Sequence, residues 1–350
     1  MAKINIGVIG TGRITRKAHL PALQSLGEEV NVLALADIKG TQELSKELKI
    51  RYVFEDYTQL LKLNEIDAVV ISVPNYLHCK ITVDALEAGK HVLCEKPLTI
   101  NEQEALEIAK AQQRTGKQLM IAFNNRFRKD VQLIKKYHEA GELGEIYYVK
   151  CAWMRRAGIP GWGGWFTDIA KSGGGALIDL GVHMLDLALY IMGYPHPVSV
   201  TGSTYNIYGE IEKGQSRVRA IENLQGHFNV EDTGLAFIKF DNGSTLILET
   251  SWASNIEQDH FSISFLGSKG GAVLENNRLA ICKEAFGVQH NILPLITVDE
   301  SQVRMDLWKH FLQRIRTQET NAPSINEGVI LSRIMDAIYQ SARTGQQVNV

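Results

Sequence analysis

The stretch Ile4-Asn5-Ile6-Gly7-Val8-Ile9-Gly10-Thr11-Gly12 decides the fold. An almost wholly apolar run meets two glycines one residue apart, and a helical pattern runs from Arg13 to about Leu26. A strand buried on both faces reads as such a run. The glycines permit a tight turn and a close approach of the backbone to a ligand. The same unit then recurs. Val30 to Ala36 is a second apolar strand, ending in Asp37, with helical pattern from Thr41 to Leu48. A weak strand at Tyr52–Phe54 precedes a short helix around Tyr57–Lys62. Asp67 to Val73 is a strong strand closed by Pro74 and Asn75, and the helix Ile81–Ala88 stops at Gly89, a residue suited to a helix end. His91–Cys94 is a strand, Asn101–Arg114 a helix with an Asn cap, and Gln118–Phe123 one more strand. Parallel strands need crossover connections, usually helices. The alternation therefore predicts an α/β domain with a doubly wound parallel sheet over residues 1–124, its crossovers right-handed.

After Asn124 the rhythm changes. A helix near Lys129–Glu139 leads into a strand at Ile146–Met154, then a loop rich in Gly and Trp from Ala157 to Gly164. Gly173-Gly174-Gly175 precedes an apolar helix, Ala176–Met192. Strand patterns then follow one another at Val198–Ile207, Leu235–Phe240, Thr245–Trp252, Phe261–Leu266 and Ala272–Leu274, with a hairpin signal at Asp241-Asn242-Gly243. Helices at Ser301–Arg316 and Asn326–Arg343 close the chain. This predicts a second, α+β domain over residues 125–350, built on a large, open, mainly antiparallel sheet. Gly209–Gln225 is polar and irregular, and reads as a surface loop.

Composition sets outer limits. With 350 residues, 45% apolar and 22% charged, the chain suits two ordinary globular domains. The 37 basic and 39 acidic side chains leave a net charge of -2, no electrostatic case for nucleic acid or anionic membrane. No apolar run reads as a bilayer span, and Met1 to Gly10 enters a strand without a signal-peptide pattern. Cys79, Cys94, Cys151 and Cys282 lack metal or redox-pair spacing, so the expectation is a reduced cytoplasmic protein with no metal.

The candidate cofactor residues follow from the first turn. Gly10, Thr11, Gly12, Arg13 and Ile14 match the opening of a dinucleotide fingerprint, with Thr15 where a third glycine would stand. The helix start offers unpaired N–H groups to a pyrophosphate. A motif this short is weak alone, but it follows a strand, opens a helix and is answered by Asp37. A carboxylate there accepts hydrogen bonds from an adenosine ribose and repels a 2′-phosphate, which favours NAD. Lys39 nearby keeps NADP possible.

The chemistry is expected at two further places. Val92-Leu93-Cys94-Glu95-Lys96-Pro97 is an apolar strand ending in an acid, a base and a proline. Ligands of open α/β sheets bind at strand carboxyl ends, which puts Lys96 at the lip of a cleft. Asp179 and His183 stand four apart in an apolar helix, on one face. A carboxylate beside an imidazole fixes which nitrogen carries the proton and favours the charged ring, as a base taking a hydroxyl proton requires. Trp153, Trp162 and Trp165 around the Gly-rich loop suit a sugar-stacking platform or an ordinary aromatic core. Arg155 suits a substrate anion or a solvated strand end. His78 faces the cofactor or merely starts a helix, and His19 reads as structural.

Taken together, Gly10-Thr11-Gly12, Glu95-Lys96-Pro97, Phe123-Asn124-Asn125-Arg126-Phe127 and the triple glycine with Asp179 and His183 resemble the glucose–fructose oxidoreductase / inositol dehydrogenase / rhizopine catabolism family over essentially the whole chain. The resemblance implies a Rossmann N-terminal domain, an open-sheet second domain and NAD(P)-linked oxidation of a sugar or cyclitol hydroxyl. It implies that Lys96 polarises the reacting oxygen, His183 is the base, and Asp179 binds substrate or orients His183. It implies Glu95 at the nicotinamide ribose, and Ser72, Pro74, Asn75, His78, Lys96 and Asn124 along the cofactor. Lys96, Arg155, Trp165, Asp179 and His183 are the candidate substrate residues. It also implies a cis bond before Pro97. Two other functions fit the same residues: a glycosidase that uses NAD transiently, and a dinucleotide-binding regulator without catalysis. A homodimer or homotetramer through the second domain's sheet is expected, because its apolar alternation leaves a face needing cover.

Overall fold

In the first unit every strand is apolar because both sheet faces are covered. The computed structural model describes residues 3–210, 217–318 and 323–350. Strands β1 (Ile4–Ile9), β2 (Val30–Ala36), β3 (Tyr52–Phe54), β4 (Ala68–Ile71), β5 (His91–Cys94) and β6 (Leu119–Ile121) form a six-stranded sheet ordered β3-β2-β1-β4-β5-β6. All its pairings are parallel. The order reverses at β1, so the crevice beyond the carboxyl ends of β1 and β4 is where this architecture binds ligands. Asn101 Oδ1 accepts the Glu104 N–H at 2.9 Å, which starts the helix Glu102–Thr115.

Two compact units divide the chain: Met1–Phe127 with Asp299–Val329, and Arg128–Val298 with Ile330–Val350. The expected second domain of 125–350 therefore differs from the observed unit in two segments, 125–127 and 299–329, which belong to the first unit. Helix Glu300–Thr317 supplies Leu307, Trp308, Phe311 and Leu312 to the core around Ile6, Val8, Leu35, Val70 and Leu93. The cause is its apolar stripe at helical spacing. Burying each such side chain is worth about 1.5–3 kcal/mol, and nothing in local sequence says which core takes it. Arg126, 2% exposed, pairs with Glu327 at 2.9 Å in the same unit.

Among the described residues the second unit holds nine strands: β7 (Ile146–Met154), β8 (Pro197–Tyr205), β9 (Thr233–Phe240), β10 (Thr245–Ser251), β11 (His260–Gly267), β12 (Gly270–Glu275), β13 (Arg278–Ala285), β14 (Val288–Ile292) and β15 (Val348–Asn349). Their order is β14-β13-β12-β11-β7-β10-β9-β8-β15. Only β7 and β10 pair in parallel. The Asp241–Gly243 turn joins β9 to β10, with Gly243 at φ 82°. Residues 169–192 form one helical run apolar and long enough to pass for a membrane span, contrary to expectation; its most apolar stretch is 83% buried. An all-round apolar helix belongs to a core as readily as to a bilayer.

Over its described part Gly209–Gln225 is the expected surface loop, irregular and mostly exposed. Residues 211–216 lie outside the described residues. Beyond them, Ile159 and Trp162 make parallel bridges to Val218 and Ile221, with Trp162 N–H donating to Ala220 O at 2.8 Å.

Candidate functional site

The first unit presents the strand-end turn in a form suited to a dinucleotide. Gly10 sits at φ 89°, and a Cβ there would overlap the Ser72 carbonyl at the end of β4. Gly10 is thus demanded by the fold. Gly12 is different: its φ is ordinary and a Cβ would meet nothing within 4 Å. Open space beside an exposed glycine with no fold reason is what a close-lying ligand requires. Arg13 is exposed and Ile14 half-buried beside it. Ser72 adds a buried Oγ with no hydrogen-bond partner among the described residues. These residues fit the pyrophosphate and ribose of a dinucleotide.

Thr15, in the place of the third glycine, is fully buried and donates its hydroxyl to Gly10 O at 2.7 Å. The helix start widens there into a π-turn, Thr15–His19. The added bulk is taken up by extra width, as π-bulges do at functional sites. Asp37 is held ready: its Oδ2 accepts Thr11 N–H at 2.6 Å and Thr11 Oγ1 at 3.0 Å, and its Oδ1 accepts Lys39 N–H at 3.2 Å. Arg16, which the sequence reading passed over, donates to Thr11 O and Gly40 O and so braces both loops; nothing in its local pattern marks it.

At the end of β5, Glu95 is buried and Lys96 half-buried, and the Lys96–Pro97 bond is cis. His78 opens helix His78–Glu87 and braces two strand ends. Its Nδ1 meets Pro97 O at 2.7 Å and its Nε2 meets Val73 O at 2.9 Å. Burial lowers its pKa against those two carbonyls, and neither nitrogen is left for a ligand. The ring ties the ends of two neighbouring strands together. Pro74 is half-buried, and Asn75 and Asn124 are buried nearby in sequence to the β4 and β6 ends. Asn124 donates to Asn125 Oδ1 at 3.3 Å.

The second unit gathers the other candidates. The helix carrying Asp179 and His183 opens as a π-turn, Leu177–Gly181, and continues as the α-helix Val182–Met192. A wide turn of about 4.4 residues keeps positions four apart nearly in line. Asp179 Oδ2 accepts the Trp252 indole N–H at 2.9 Å. The His183 ring lies 5.7 Å from that of Trp153, tilted by 48°. The Arg155 guanidinium lies over the other ring position of the same wall, 5.1 Å from the Trp153 centroid. Burial lowers the Arg155 pKa, Asp179 and Asp259 oppose that, and Arg219 adds to it. Trp153 and Trp252 come from the carboxyl ends of the parallel pair β7 and β10, which explains how residues 99 apart in sequence share one wall. Sequence reasoning missed Trp252 as the partner of Asp179. Trp165 is half-buried and stacks on Phe166, centroids 3.8 Å apart. Trp162 is buried with its N–H on Gly209 O, a core residue rather than a platform.

The triple glycine has a structural cause. A Cβ on Gly174 would overlap the Tyr339 hydroxyl, and one on Gly175 would overlap the Glu231 backbone carbonyl. Glu231 Oε1 accepts the N–H groups of Gly175 and Leu177 and the Tyr339 hydroxyl, each at 2.9 Å. A carboxylate at a helix N-terminus satisfies orphan donors and meets the positive dipole end. Burial pushes the Glu231 carboxyl up, and those same bonds oppose it. The glycines let this cap seat the helix on which Asp179 and His183 stand.

Comparison with known proteins agrees with both halves. The family model "Oxidoreductase family, NAD-binding Rossmann fold" matches residues 4–123, and that of the GFO/IDH/MocA C-terminal domain matches residues 131–273. D-glucoside 3-dehydrogenase of Escherichia coli (strain K12) is 32% identical over 99% of this chain and 97% of its own. Levoglucosan dehydrogenase of Pseudarthrobacter phenanthrenivorans is 26% identical over 100% of this chain and 99% of its own. A solved levoglucosan dehydrogenase in complex with NADH superposes with a TM-score of 0.88 at 22% identity, covering 99% of each chain. This chain therefore belongs to the NAD-binding glucose–fructose oxidoreductase / inositol dehydrogenase / rhizopine catabolism family of oxidoreductases.

Proposed function

We propose that this protein is an NAD-linked dehydrogenase of a sugar or sugar derivative, moving hydride between a ring hydroxyl carbon and nicotinamide. The observation that carries the substrate class is the second-unit cluster: an imidazole beside half-buried Trp153, Arg155 over the same ring, and a carboxylate oriented by the buried Trp252. Pyranose rings present apolar C–H faces that suit aromatic walls and hydroxyls that suit charged, oriented partners. The full-length relative that acts on glucosides supports the same class.

In this reading His183 takes the hydroxyl proton, and Asp179, oriented by the Trp252 N–H, binds a neighbouring hydroxyl. Lys96 donates to the reacting oxygen and stabilises negative charge developing there. The bound nicotinamide supplies the hydride acceptor; the protein supplies orientation and proton handling. Trp165 and Arg155 line the sugar. Turnover of a panel of glycosides, aldoses and inositols, followed by nicotinamide absorbance, tests the proposal. Release of an aglycone with no net NADH would select the transient-redox glycosidase instead, and binding without turnover of any sugar would select the regulator.

NAD is the preferred dinucleotide because Asp37, held by Thr11, puts a carboxylate where a 2′-phosphate would bring like charge. Asp37→Ser is expected to raise the NADP-to-NAD ratio of kcat/KM by about tenfold or more, the scale of one lost repulsion of about 1.4 kcal/mol. An unchanged ratio would remove Asp37 from this role.

The oligomer rests on the open face of the nine-stranded sheet. Phe237 and Ile247 are cross-strand partners there, and Leu235 faces Glu249. Leu235 and Phe237 are exposed, while Ala236 and Ile238 between and beyond them are buried. A second copy would cover this face, with the Lys150–Glu249 pair beside it. Light scattering at micromolar concentration is expected to show at least a dimer, and Phe237→Lys to lower the mass to that of one chain. A wild-type monomer would end this proposal.

A further inference from the structure

Helix Glu300–Thr317 does more in the first unit than fill its core. Trp308, fully buried, donates its indole N–H to His19 Nδ1 at 3.1 Å. His19, also fully buried, meets Glu95 Oε1 through Nε2 at 2.9 Å. Arg304, from the same helix, donates to that same Oε1 at 3.1 Å. An indole N–H can only donate. Nδ1 of His19 must therefore accept, the ring proton must sit on Nε2, and the imidazole must donate to the carboxylate. The tautomer is set by a residue 289 positions away in sequence.

The consequence falls on Glu95. Its Oε1 takes two donors, His19 and Arg304, while among the described residues Oε2 takes only the Lys96 N–H, at 3.2 Å. Burial alone would raise the carboxyl, but Arg304, His19 and Lys96 outweigh it and hold it well below the usual carboxylate range. A buried ionic network of this kind gains little stability over an apolar cluster of the same volume. At the carboxyl end of a central strand, where ligands of this architecture bind, its use is to present a charge. The π-turn Thr15–His19 is what turns His19 inward, so the departure from the third glycine and the placement of this imidazole are one feature.

We propose that Trp308, His19 and Arg304 are positioning residues that lock the rotamer and charge of Glu95 toward the nicotinamide half of the dinucleotide. The inference deepens the reading above and rests on it at one point, that Glu95 meets the dinucleotide. The three residues touch neither substrate nor reacting atoms; they act through Glu95. They also tie dinucleotide affinity to a helix far along the chain.

The experiment compares NADH with ADP, which lacks the nicotinamide ribose, by calorimetric titration of the purified full-length protein and its variants. His19→Leu keeps volume and removes the donor. It is expected to weaken NADH about tenfold, or about 1.4 kcal/mol, and to leave ADP within about twofold. His19→Gln returns an N–H near the Nε2 position and is expected to restore NADH to within about threefold of wild type. Trp308→Phe keeps the packing, loses the indole donor and serves should His19→Leu fold poorly; it is expected to weaken NADH about threefold with ADP unchanged. Parallel weakening of NADH and ADP, an unchanged NADH affinity, or a well-folded His19→Gln protein no better than His19→Leu would each overturn the proposal. A protein that oxidised no sugar, yet lost NADH affinity selectively in these variants, would refute the substrate reading and uphold this one.

Discussion

Lys96→Ala and His183→Ala are each expected to lower kcat by about 10²–10⁴-fold, the usual span for a positioned acid or base. NADH affinity should stay within about threefold in both, since the adenosine and pyrophosphate contacts are elsewhere, a separation read as kcat lost with binding kept. Steady-state kinetics on the best substrate of the panel, with NADH titration alongside, measures both quantities. The two side chains differ in how they are held. Lys96, half-buried, follows a buried Glu95 held well below the usual carboxylate range and precedes Pro97, whose carbonyl meets His78 Nδ1 at 2.7 Å. His183 is 9% exposed, with its ring 5.7 Å from that of Trp153. The double variant should be no worse than the poorer single one, because residues that act on one proton and one oxygen of the same step fail together. Near-full activity in either single variant would overturn the assignment.

Gly175→Ala is expected to destabilise the second unit by about 3 kcal/mol or more, at the upper end of overpacking costs. The added methyl would overlap the Glu231 carbonyl, which is backbone and cannot rotate away. The same shift would break the bonds from Gly175 and Leu177 to Glu231 Oε1, leaving a buried carboxyl short of donors. Thermal unfolding followed by circular dichroism should show the loss. Gly12→Ala is the control of opposite sign: no Cβ clash is present there, so the melting temperature should hold while dinucleotide affinity falls. Equal melting temperatures for Gly175→Ala and wild type would mean that the helix can seat without its glycines.

Particular residues show where sequence reasoning reaches. β1, β2, β4 and β5 are apolar on both faces, and the Gly10 and Gly12 turn has a local meaning that survives any context. Strands β13 and β14 went unread: β13 ends in Lys283-Glu284-Ala285 and β14 is exposed at all five positions, so neither carries an alternation to detect. The triple glycine was legible as a signal but not as a cause, since Glu231 and Tyr339 lie 56 and more residues onward. His19 read as structural; its bond to Glu95 joins residues 76 apart, and no spacing rule covers that.

From its own order of residues the chain determined the doubly wound sheet and the glycine turn that closes β1, because hydrophobic periodicity and glycine geometry act over a few neighbouring residues. The tertiary structure alone decided that helix Glu300–Thr317 joins the first core, that the Trp252 indole N–H donates to Asp179, and that Trp308 sets the His19 tautomer beneath Glu95. Those outcomes depend on which apolar stripe finds which core and on single donors meeting single acceptors across long loops. Such contacts have directions and partners only once the chain has closed on itself.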